Sequence, residues 1–267
     1  MFQSLGHKAS VVFRMIQFYK NWPALILYRL NLRPQPMIVR MRDGARFKVR
    51  DRRDELSDAH VINESYLYGI HDNILPYFKN AKVGIDIGAH IGAFAIFAAK
   101  KSPARIFAVE PAPNNRRVLE ENIKLNDFGE RITVLPVAIS SGSGEIDLFI
   151  PENGGIATTS RRHLQLYNAD EGTKTIKVPT KTLLELFREN GVEFCDFIKM
   201  DCEGAEYDIF YNAPQELFDK VGVMTIECHK DGNINELMDF IRKRGFEVVR
   251  PTTEFGEIFC VNKAVKI

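Results

Sequence analysis

The sequence predicts an α/β protein of the Rossmann type with a doubly wound, mostly parallel sheet. From about residue 83 onward, short apolar runs alternate with amphipathic segments, as in strands joined by right-handed helical crossovers. The first run, 83–87, leads directly into a glycine turn, and the second run ends at the carboxylate Glu110. The 267 residues are 45% hydrophobic, so the chain is long and apolar enough to form a substantial core.

An N-terminal extension, 1–56, is expected to precede the main domain, 57–267. Apolar positions recur at helical spacing over 8–20 and again over 22–30, with a proline near the junction, and proline ends or kinks a helix. Residues 37–50 instead alternate apolar and polar side chains around an Asp-Gly pair, which is typical of a β-hairpin. The extension is therefore predicted to contain helices and one hairpin.

The main domain is predicted to alternate helices and strands. Strands are expected at 83–87, 105–109, 132–136, 145–150, 196–200, 221–227, 246–250 and 258–262, the last two antiparallel. Helices are expected at 57–68, 73–78, 91–101, 113–125, 182–190, after 204, and at 234–244. The alternation fails over 144–178, where we expect one strand and a loop rich in Gly, Thr and Ser. Long loops at the strand ends of such sheets usually carry substrate contacts.

The charge of the chain is unevenly distributed. Residues 1–53 carry 12 Lys and Arg and two acids, about +10, whereas the rest carries about −9. This favours a solvated face that complements the acidic body; the alternative is an anionic partner such as phospholipid, a lipid-linked sugar phosphate or nucleic acid. Four cysteines without metal or disulfide spacing indicate a reducing compartment. No uninterrupted span of about 20 apolar residues is present, so we expect a cytoplasmic protein, with a peripheral membrane location as the alternative.

The glycine turn and the acid that follows it predict a site for a nucleoside-bearing cofactor. Gly88 and Gly92 let the backbone approach a ligand closely. Glu110 follows Asp86 by 24 residues, which fits one strand–helix–strand unit and the place of a ribose-binding carboxylate. The turn lacks the G-x-G of dinucleotide sites. Asp86 would repel a pyrophosphate, but through water it could orient the ammonium group of a methionine moiety. These details favour S-adenosylmethionine over NAD; the alternative is an ordinary strand and tight turn.

Ionisable side chains cluster at the carboxyl ends of two later predicted strands, with Lys199, Asp201 and Glu203 at one and Glu227 and His229 at the next. Groups crowded in this way shift one another's pKa, as acid–base chemistry requires; capping of the next helix is the structural alternative. His229 is a candidate general base, or a surface histidine in a loop. Asp201, Glu227 and His229 are ligand types that divalent ions accept, but their spacing is not specific, so the need for a metal stays open.

Six short motifs follow one another along the main domain: 85–92, 109–111, 121–122, 138–140, 198–206 and 226–229. The 198–206 motif has the form Lys-x-Asp-x-Glu-Gly-x-Glu and is the most specific of them. Together the motifs resemble those of the FkbM-type methyltransferases over about residues 80–230. The resemblance implies a class I methyltransferase fold with a seven-stranded sheet. It also implies S-adenosylmethionine as cofactor and, as the usual acceptor, a hydroxyl of a sugar or natural product.

The resemblance also implies roles for single residues. The methionine end of the cofactor is assigned to Asp86, Gly88 and Gly92, the ribose to Glu110, and the adenine to Val137 and Ala138. Asp201 and Glu203 would face the methyl group and the acceptor. His90 stands where the family commonly has Asn, which leaves the hydrogen bond made there open. The predicted catalytic residues are Lys199, Asp201, Glu203 and His229, and the predicted cofactor-binding residues are Asp86, Gly88, His90, Gly92, Glu110, Pro111, Val137, Ala138 and Asp201.

The predicted function is S-adenosylmethionine-dependent methyl transfer to a hydroxyl of a sugar, glycan or natural-product-like small molecule. Asp201, Glu203 and His229 are the candidates for the base that takes the hydroxyl proton. Two alternatives stay open: an NAD-linked oxidoreductase, and a non-catalytic adaptor that binds a membrane surface or nucleic acid through residues 1–53. No aromatic and basic platform is apparent in the main domain, so a nucleic-acid partner is not expected. The sequence names neither the acceptor nor the oligomeric state.

Overall fold

The computed structural model of the chain describes residues 13–29, 32, 37–50, 57–151, 157–166, 172–249 and 256–265. Residues 13–18 are helical, followed by α1 (Trp22–Arg29), α2 (Ser57–Tyr66), a 3₁₀-helix (Asp72–Tyr77), α3 (Ala93–Lys101), α4 (Pro113–Leu125), α5 (Arg161–Leu166), α6 (Leu183–Glu189), α7 (Glu206–Tyr211), α8 (Gln215–Asp219) and α9 (Ile234–Lys243). The strands are β1 (Met37–Arg40), β2 (Arg46–Val49), β3 (Val83–Ile87), β4 (Arg105–Val109), β5 (Ile132–Leu135), β6 (Ala138–Ile139), β7 (Gly144–Ile150), β8 (Lys174–Lys181), β9 (Cys195–Met200), β10 (Val221–Glu227), β11 (Phe246–Val249) and β12 (Glu257–Asn262). The first predicted helix begins at residue 8, outside the described residues.

The largest sheet has seven strands in the order β11-β12-β10-β9-β3-β4-β5. β5, β4, β3, β9 and β10 are parallel to one another, and β12 runs antiparallel between β10 and β11. The chain enters the sheet at β3, proceeds outward to β5, and returns on the other side of β3 through β9. The predicted doubly wound, mostly parallel fold with an antiparallel ending is confirmed. In such a sheet, ligands bind at the carboxyl ends of the strands, where the order reverses.

Helices cover both faces of this sheet. On β9, Phe197 packs into the core that contains α3 and α4, whereas Ile198 and Met200 pack into the core that contains α6 to α9. This alternation follows from the two-residue period of a strand. Buried on both faces, the central strands are almost continuously apolar, which is why the sequence predicted their positions well.

The N-terminal hairpin of β1 and β2 is docked on α4. The Asn122 side chain accepts a hydrogen bond from the backbone N–H of Lys48 at 2.6 Å, and the Asn126 side chain accepts one from that of Arg46 at 2.8 Å. Two asparagines therefore pair with an otherwise open strand edge. Buried side chains of the hairpin join the same core as α3 and α4. The division of the chain after residue 56 stays a prediction.

The structure differs from the predicted elements between β5 and β9. Here β6, β7 and β8 form a second sheet in the order β6-β8-β7, where the sequence predicted only one strand and a loop. β8 was missed because its sequence, KTIKVPTK, includes three lysines and a proline, residues that are uncommon in strands. The short helices α5 and α8 were also missed. Ala138 of β6 and Leu148 of β7 line a cavity at the carboxyl edge of the large sheet. The second sheet therefore covers one side of that edge.

Candidate active site

A cavity of about 410 Å³ lies at the carboxyl ends of β3, β4, β9 and β10, a size typical of small-molecule sites. Nine of the predicted site residues line it: Gly88, His90, Glu110, Pro111, Val137, Ala138, Asp201, Glu203 and His229. Asp86 and Lys199 line an adjoining cavity of about 20 Å³. Gly92 lines neither of these two cavities. The fold therefore brings residues from separate motifs to one place.

Gly88 allows two strands to approach each other at the base of the cavity. It has a φ of +76°, and a Cβ atom added there would lie 1.7 Å from the backbone oxygen of Asp201. Gly92, with a φ of +85°, precedes α3, and its added Cβ would lie 2.5 Å from Cδ1 of Leu119 on α4. Gly88 therefore shapes the cavity directly, whereas Gly92 shapes the packing of the helix behind it.

Glu110 is held at the end of β4 by backbone hydrogen bonds. One carboxylate oxygen accepts a hydrogen bond from the backbone N–H of His90 and the other from that of Ala112, both at 2.8 Å. Burial raises the pKa of Glu110 to about 7, although these two hydrogen bonds lower it. The Asn115 side chain donates a longer hydrogen bond to Glu110 at 3.5 Å. An ionised carboxylate has about four acceptor positions, so Glu110 can still accept one hydrogen bond from a ligand in the cavity, and a second one where the ligand replaces Asn115.

His90 has a φ of +51°, in the left-handed region that Asn, Asp and His enter more readily than other non-glycine residues. This preference explains why an asparagine fits the same position in the pattern that the sequence resembles. Burial lowers the pKa of His90 to about 4, so the ring is neutral at pH 7. Its Nε2 lies 3.3 Å from a guanidinium nitrogen of Arg50, which also pairs with Asp58 at 2.6 Å. The hairpin thus contacts the glycine turn.

Asp86 is fully buried, and among the described residues neither of its carboxylate oxygens has a hydrogen-bond partner. The ammonium group of Lys199 lies 3.7 Å from Asp86 and donates hydrogen bonds to Asp201 at 3.1 Å and to the backbone oxygen of Gly88 at 3.2 Å. Burial raises the pKa of Asp86, although Lys199 lowers it. Lys199 therefore lies between two strand-end aspartates and offsets part of their combined negative charge.

Apolar side chains form one wall of the cavity, between β4 and the second sheet. Those nearest the sheet edges are Val109, Pro111, Val137, Ala138, Ile139 and Leu148. A wall of this kind suits a flat apolar group such as a nucleobase. The predicted residues Pro111, Val137 and Ala138 all belong to it.

The other end of the cavity carries an acid–histidine cluster, formed by His163, Asp201, Glu203, Glu227 and His229. Oε2 of Glu203 lies 3.0 Å from Nε2 of His163 and 3.2 Å from Nε2 of His229. One carboxylate oxygen thus bridges two imidazole rings. Nε2 of His229 also lies 3.9 Å from an oxygen of Asp201 and 3.9 Å from one of Glu227.

Each histidine of the cluster contacts a second carboxylate behind it. Nδ1 of His229 lies 2.8 Å from Glu206, and Nδ1 of His163 lies 3.0 Å from Asp231. The groups form a continuous chain in the order Asp231, His163, Glu203, His229, Glu206. Both rings are therefore oriented from behind, with Nε2 directed towards Glu203.

Mutual contacts shift the pKa values in this cluster in opposite directions. Burial would raise the pKa of Glu203, but the two histidines lower it to about 2. Burial would lower the pKa of His229, but Glu203 and Glu206 raise it to about 12. Burial raises the pKa of Asp201 to about 6, and burial together with Asp201 raises that of Glu227 to about 9. Because the pKa of His229 lies well above 7 in this arrangement, its ring is protonated at neutral pH.

Sequence reasoning missed His163 and Asp231. His163 lies on the short helix α5, and the segment before it is tied to the cluster. The Thr158 hydroxyl donates a hydrogen bond to the backbone oxygen of Glu203 at 2.6 Å, and the Ser160 hydroxyl donates one to Asp231 at 2.5 Å. The sequence predicted substrate contacts from the loop over 154–160, just before α5, but it gave no signal for a histidine there.

Comparison with known proteins assigns the sequence of this chain to a family. The model of the methyltransferase FkbM domain matches residues 86–248. Methyltransferase sdnD of Sordaria araneosa is 29% identical over 197 residues, which cover 64% of this chain and 76% of that protein. The 2-O-methyltransferase NoeI of Sinorhizobium fredii (strain NBRC 101917 / NGR234) is 32% identical over 150 residues, which cover 52% of this chain and 60% of that protein.

Among solved structures, precorrin-6y C5,15-methyltransferase from Geobacter metallireducens GS-15 covers 71% of this chain and 84% of its own, with 14% identity and a TM-score of 0.41. The family match begins at Asp86, includes the whole acid–histidine cluster and ends within β11. Because that match spans more than half of the chain, the protein belongs to the FkbM methyltransferase family.

Proposed function

We propose that this protein transfers the methyl group of S-adenosylmethionine to a hydroxyl of a sugar, glycan or natural-product-like small molecule. One observation carries the proposal: a single cavity joins the cofactor end, formed by Gly88, Glu110 and the apolar wall, to the acid–histidine cluster. A methyltransferase needs such continuity because donor and acceptor must meet in line.

The residues at the cofactor end fit S-adenosylmethionine. Glu110 can accept hydrogen bonds from the two ribose hydroxyls if one of them replaces the 3.5 Å hydrogen bond from Asn115, and Val137 and Ala138 offer an apolar surface to the adenine. Asp86 has no hydrogen-bond partner among the described residues and borders a cavity of about 20 Å³, enough for one water molecule. Asp86 can therefore act on the methionine ammonium through water. When bound, the cofactor supplies a methyl group activated on a sulfonium.

The acid–histidine cluster supplies what an alcohol acceptor requires. An alcohol is a weak nucleophile, so its oxygen must be held in line with the methyl group, and its proton must pass to a base. Glu203 and His229 are already paired with each other. Oδ1 of Asp201 is buried and accepts no hydrogen bond from the described residues. Of the three predicted bases, Asp201 is thus the one with a vacant acceptor position on its carboxylate in this arrangement.

Two further facts favour oxygen as the acceptor atom and methyl transfer as the reaction. One relative, NoeI, carries the name 2-O-methyltransferase, which supports a sugar-like hydroxyl acceptor. The family match is to methyltransferases, so the alternative of an NAD-linked oxidoreductase loses its basis.

The N-terminal segment supports a location at an anionic membrane surface. Met15, Tyr19 and Leu25 are buried against the body, whereas Phe13 and Leu27 are 68% and 42% exposed. Exposed cations lie in the same part of the chain: Arg14, Lys20, Arg40 and Arg42. Over the described residues, no helix is long and apolar enough to cross a bilayer. The segment therefore resembles a surface anchor that also packs on its own domain.

The first test is calorimetric titration of the wild type with S-adenosylmethionine and S-adenosylhomocysteine at pH 8, beside Glu110→Gln. We expect Glu110→Gln to weaken binding by about 1–3 kcal/mol, the value of a hydrogen bond to a charged group. Glu120→Gln, the same change at an exposed position of α4, should bind as the wild type does. A wild type that does not bind would refute the proposal.

The acceptor is then sought with methyl-labelled cofactor and a panel of glycans, alcohols and amines. Formation of a methyl ether, detected by mass spectrometry and NMR, is the expected result. Methylation of amines only would contradict the assignment to oxygen.

A further inference from the structure

Three side chains of the acid–histidine cluster are spaced like the ligands of one metal ion. Asp201 follows β9, Glu227 ends β10, and His229 lies two residues later. One ligand atom from each lies within 4.8 Å of the other two. All three residues line the 410 Å³ cavity, so an ion there would be accessible to a substrate.

The state of Asp201 is one observation that points to a ligand. Its Oδ2 accepts a hydrogen bond from Lys199 at 3.1 Å, whereas its Oδ1 is buried and has no hydrogen-bond partner among the described residues. A buried carboxylate oxygen without a partner is costly. A cation in the cavity would compensate that cost, because Oδ1 lies on the side of His229, 3.9 Å from its Nε2.

The orientation of His229 is an independent observation. The carboxylate of Glu206 is fully buried and lies 2.8 Å from Nδ1 of the ring. Glu206 also accepts hydrogen bonds from the backbone N–H groups of Cys202 and Gly204 at 3.2 and 3.3 Å, so it is itself fixed. A carboxylate behind a histidine, with Nε2 directed into a cavity, is the usual arrangement around metal-binding histidines.

We propose that Asp201, Glu227 and His229 bind one divalent cation of the Mg²⁺ or Mn²⁺ class. Two carboxylates and one imidazole suit these ions, and three protein ligands leave coordination positions for an acceptor oxygen. The cation displaces the proton on Nε2 of His229, which frees one acceptor position on Glu203.

The role of this cation rests on the proposed O-methyl transfer, but the binding site does not. A hydroxyl bound to the cation has a lowered pKa. Its proton passes to Glu203, its oxygen forms the new bond to the methyl carbon, and the carbon–sulfur bond breaks with its electron pair left on sulfur. With the cation bound, Asp201 is a ligand and Glu203 is the base.

The test is to measure Mn²⁺ binding to the full chain by electron paramagnetic resonance and by calorimetry, without cofactor or acceptor present. We expect one saturable site in the wild type and in Glu120→Gln. Glu227→Gln should bind at least about tenfold more weakly, since loss of a group that only orients a metal ligand already costs about 10–100-fold. Because Glu227 is 30% exposed, this variant should fold, which circular dichroism checks; Asp201→Asn is the second variant.

Equal Mn²⁺ affinity in the wild type and both folded variants would overturn the proposal, as would a folded wild type without saturable binding. Neither result bears on cofactor binding, which the titrations with S-adenosylhomocysteine measure separately. Failure of the metal site and failure of the proposed methyl transfer are thus distinguishable.

Discussion

At the cofactor end, Glu110 is held by backbone N–H groups 20 and 2 residues away, His90 and Ala112, within one strand–helix–strand unit. In the acid–histidine cluster, side chains contact side chains from separate segments, such as His163 and Asp231, 68 residues apart. The first end depends on backbone geometry and glycines. The second depends on ionised side chains that neutralise one another. The two ends should therefore respond differently to substitution, and the second also depends on His163 and Asp231, which lie outside the sequence motifs.

Gly88→Ala should have the largest effect, because it acts on backbone geometry. The added Cβ would lie 1.7 Å from the backbone oxygen of Asp201, at a φ of +76°. A clash with backbone at a left-handed position cannot be relieved by a side-chain rotation, so we expect a loss of more than about 3 kcal/mol. Urea unfolding and S-adenosylhomocysteine titration measure it.

The matched control is Gly142→Ala, since an added Cβ there has nothing within 4 Å. Its stability should change by less than about 0.5 kcal/mol. Similar losses of stability in the two variants would show that the close backbone approach at Gly88 is not important for stability.

The same contrast explains what the sequence could predict. The bounds of β3, β4, α4 and β10 agree with prediction, because buried central strands and amphipathic helices have clear apolar patterns. Gly88 of the glycine turn and Glu110 line the cavity, and the sequence could place them there because the turn and the carboxylate follow successive strands at a fixed spacing. The Lys199 to Glu206 stretch was found because its acids adjoin a strand end.

His163, Asp231 and Arg50 were not found because their partners lie far away in sequence. A histidine on a six-residue helix, Arg161–Leu166, has no local feature that marks it as part of a site. Its role arises only when the strand ends bring Glu203 and Asp231 to it. Side-chain networks of this kind depend on the tertiary fold, which no spacing rule along the chain expresses.

His163→Gln should affect the acid–histidine cluster without affecting the cofactor end. It removes the ring that lies 3.0 Å from both Glu203 and Asp231, and so leaves two buried carboxylates without their shared partner. We expect a loss of about 2 kcal/mol in unfolding free energy and unchanged S-adenosylhomocysteine affinity. The control for stability is His60→Gln, which alters a pair between a half-exposed histidine and Glu64 and should cost at most about 1 kcal/mol. A large loss of cofactor affinity in His163→Gln would argue against separate ends.

The pH dependence of cofactor binding should depend on Glu110. Its pKa is raised to about 7, and ribose hydroxyls donate to the ionised form, so protonation competes with binding. S-adenosylhomocysteine affinity should therefore fall as the pH drops from 8 to 6, by about tenfold, or about 1.4 kcal/mol. Calorimetry of Glu110→Gln should show weaker binding with no such trend. A similar slope in this variant would assign the titration to another group.

A substitution outside the cavity, on the exposed face of the N-terminal segment, should have the smallest effect, and that effect should be on membrane binding. Phe13 is 68% exposed, and burial of its ring in a lipid interface is worth about 1 kcal/mol. Phe13→Ser should reduce binding to phosphatidylglycerol vesicles by about fivefold in a flotation assay, and neither protein should bind neutral vesicles. Phe194→Ser, at a 40% exposed position of the main domain, is the control and should bind as the wild type does. Membrane attachment requires both charge and exposed apolar area. If the wild type binds neither kind of vesicle, the role of the basic segment is instead to pack on the body of the protein.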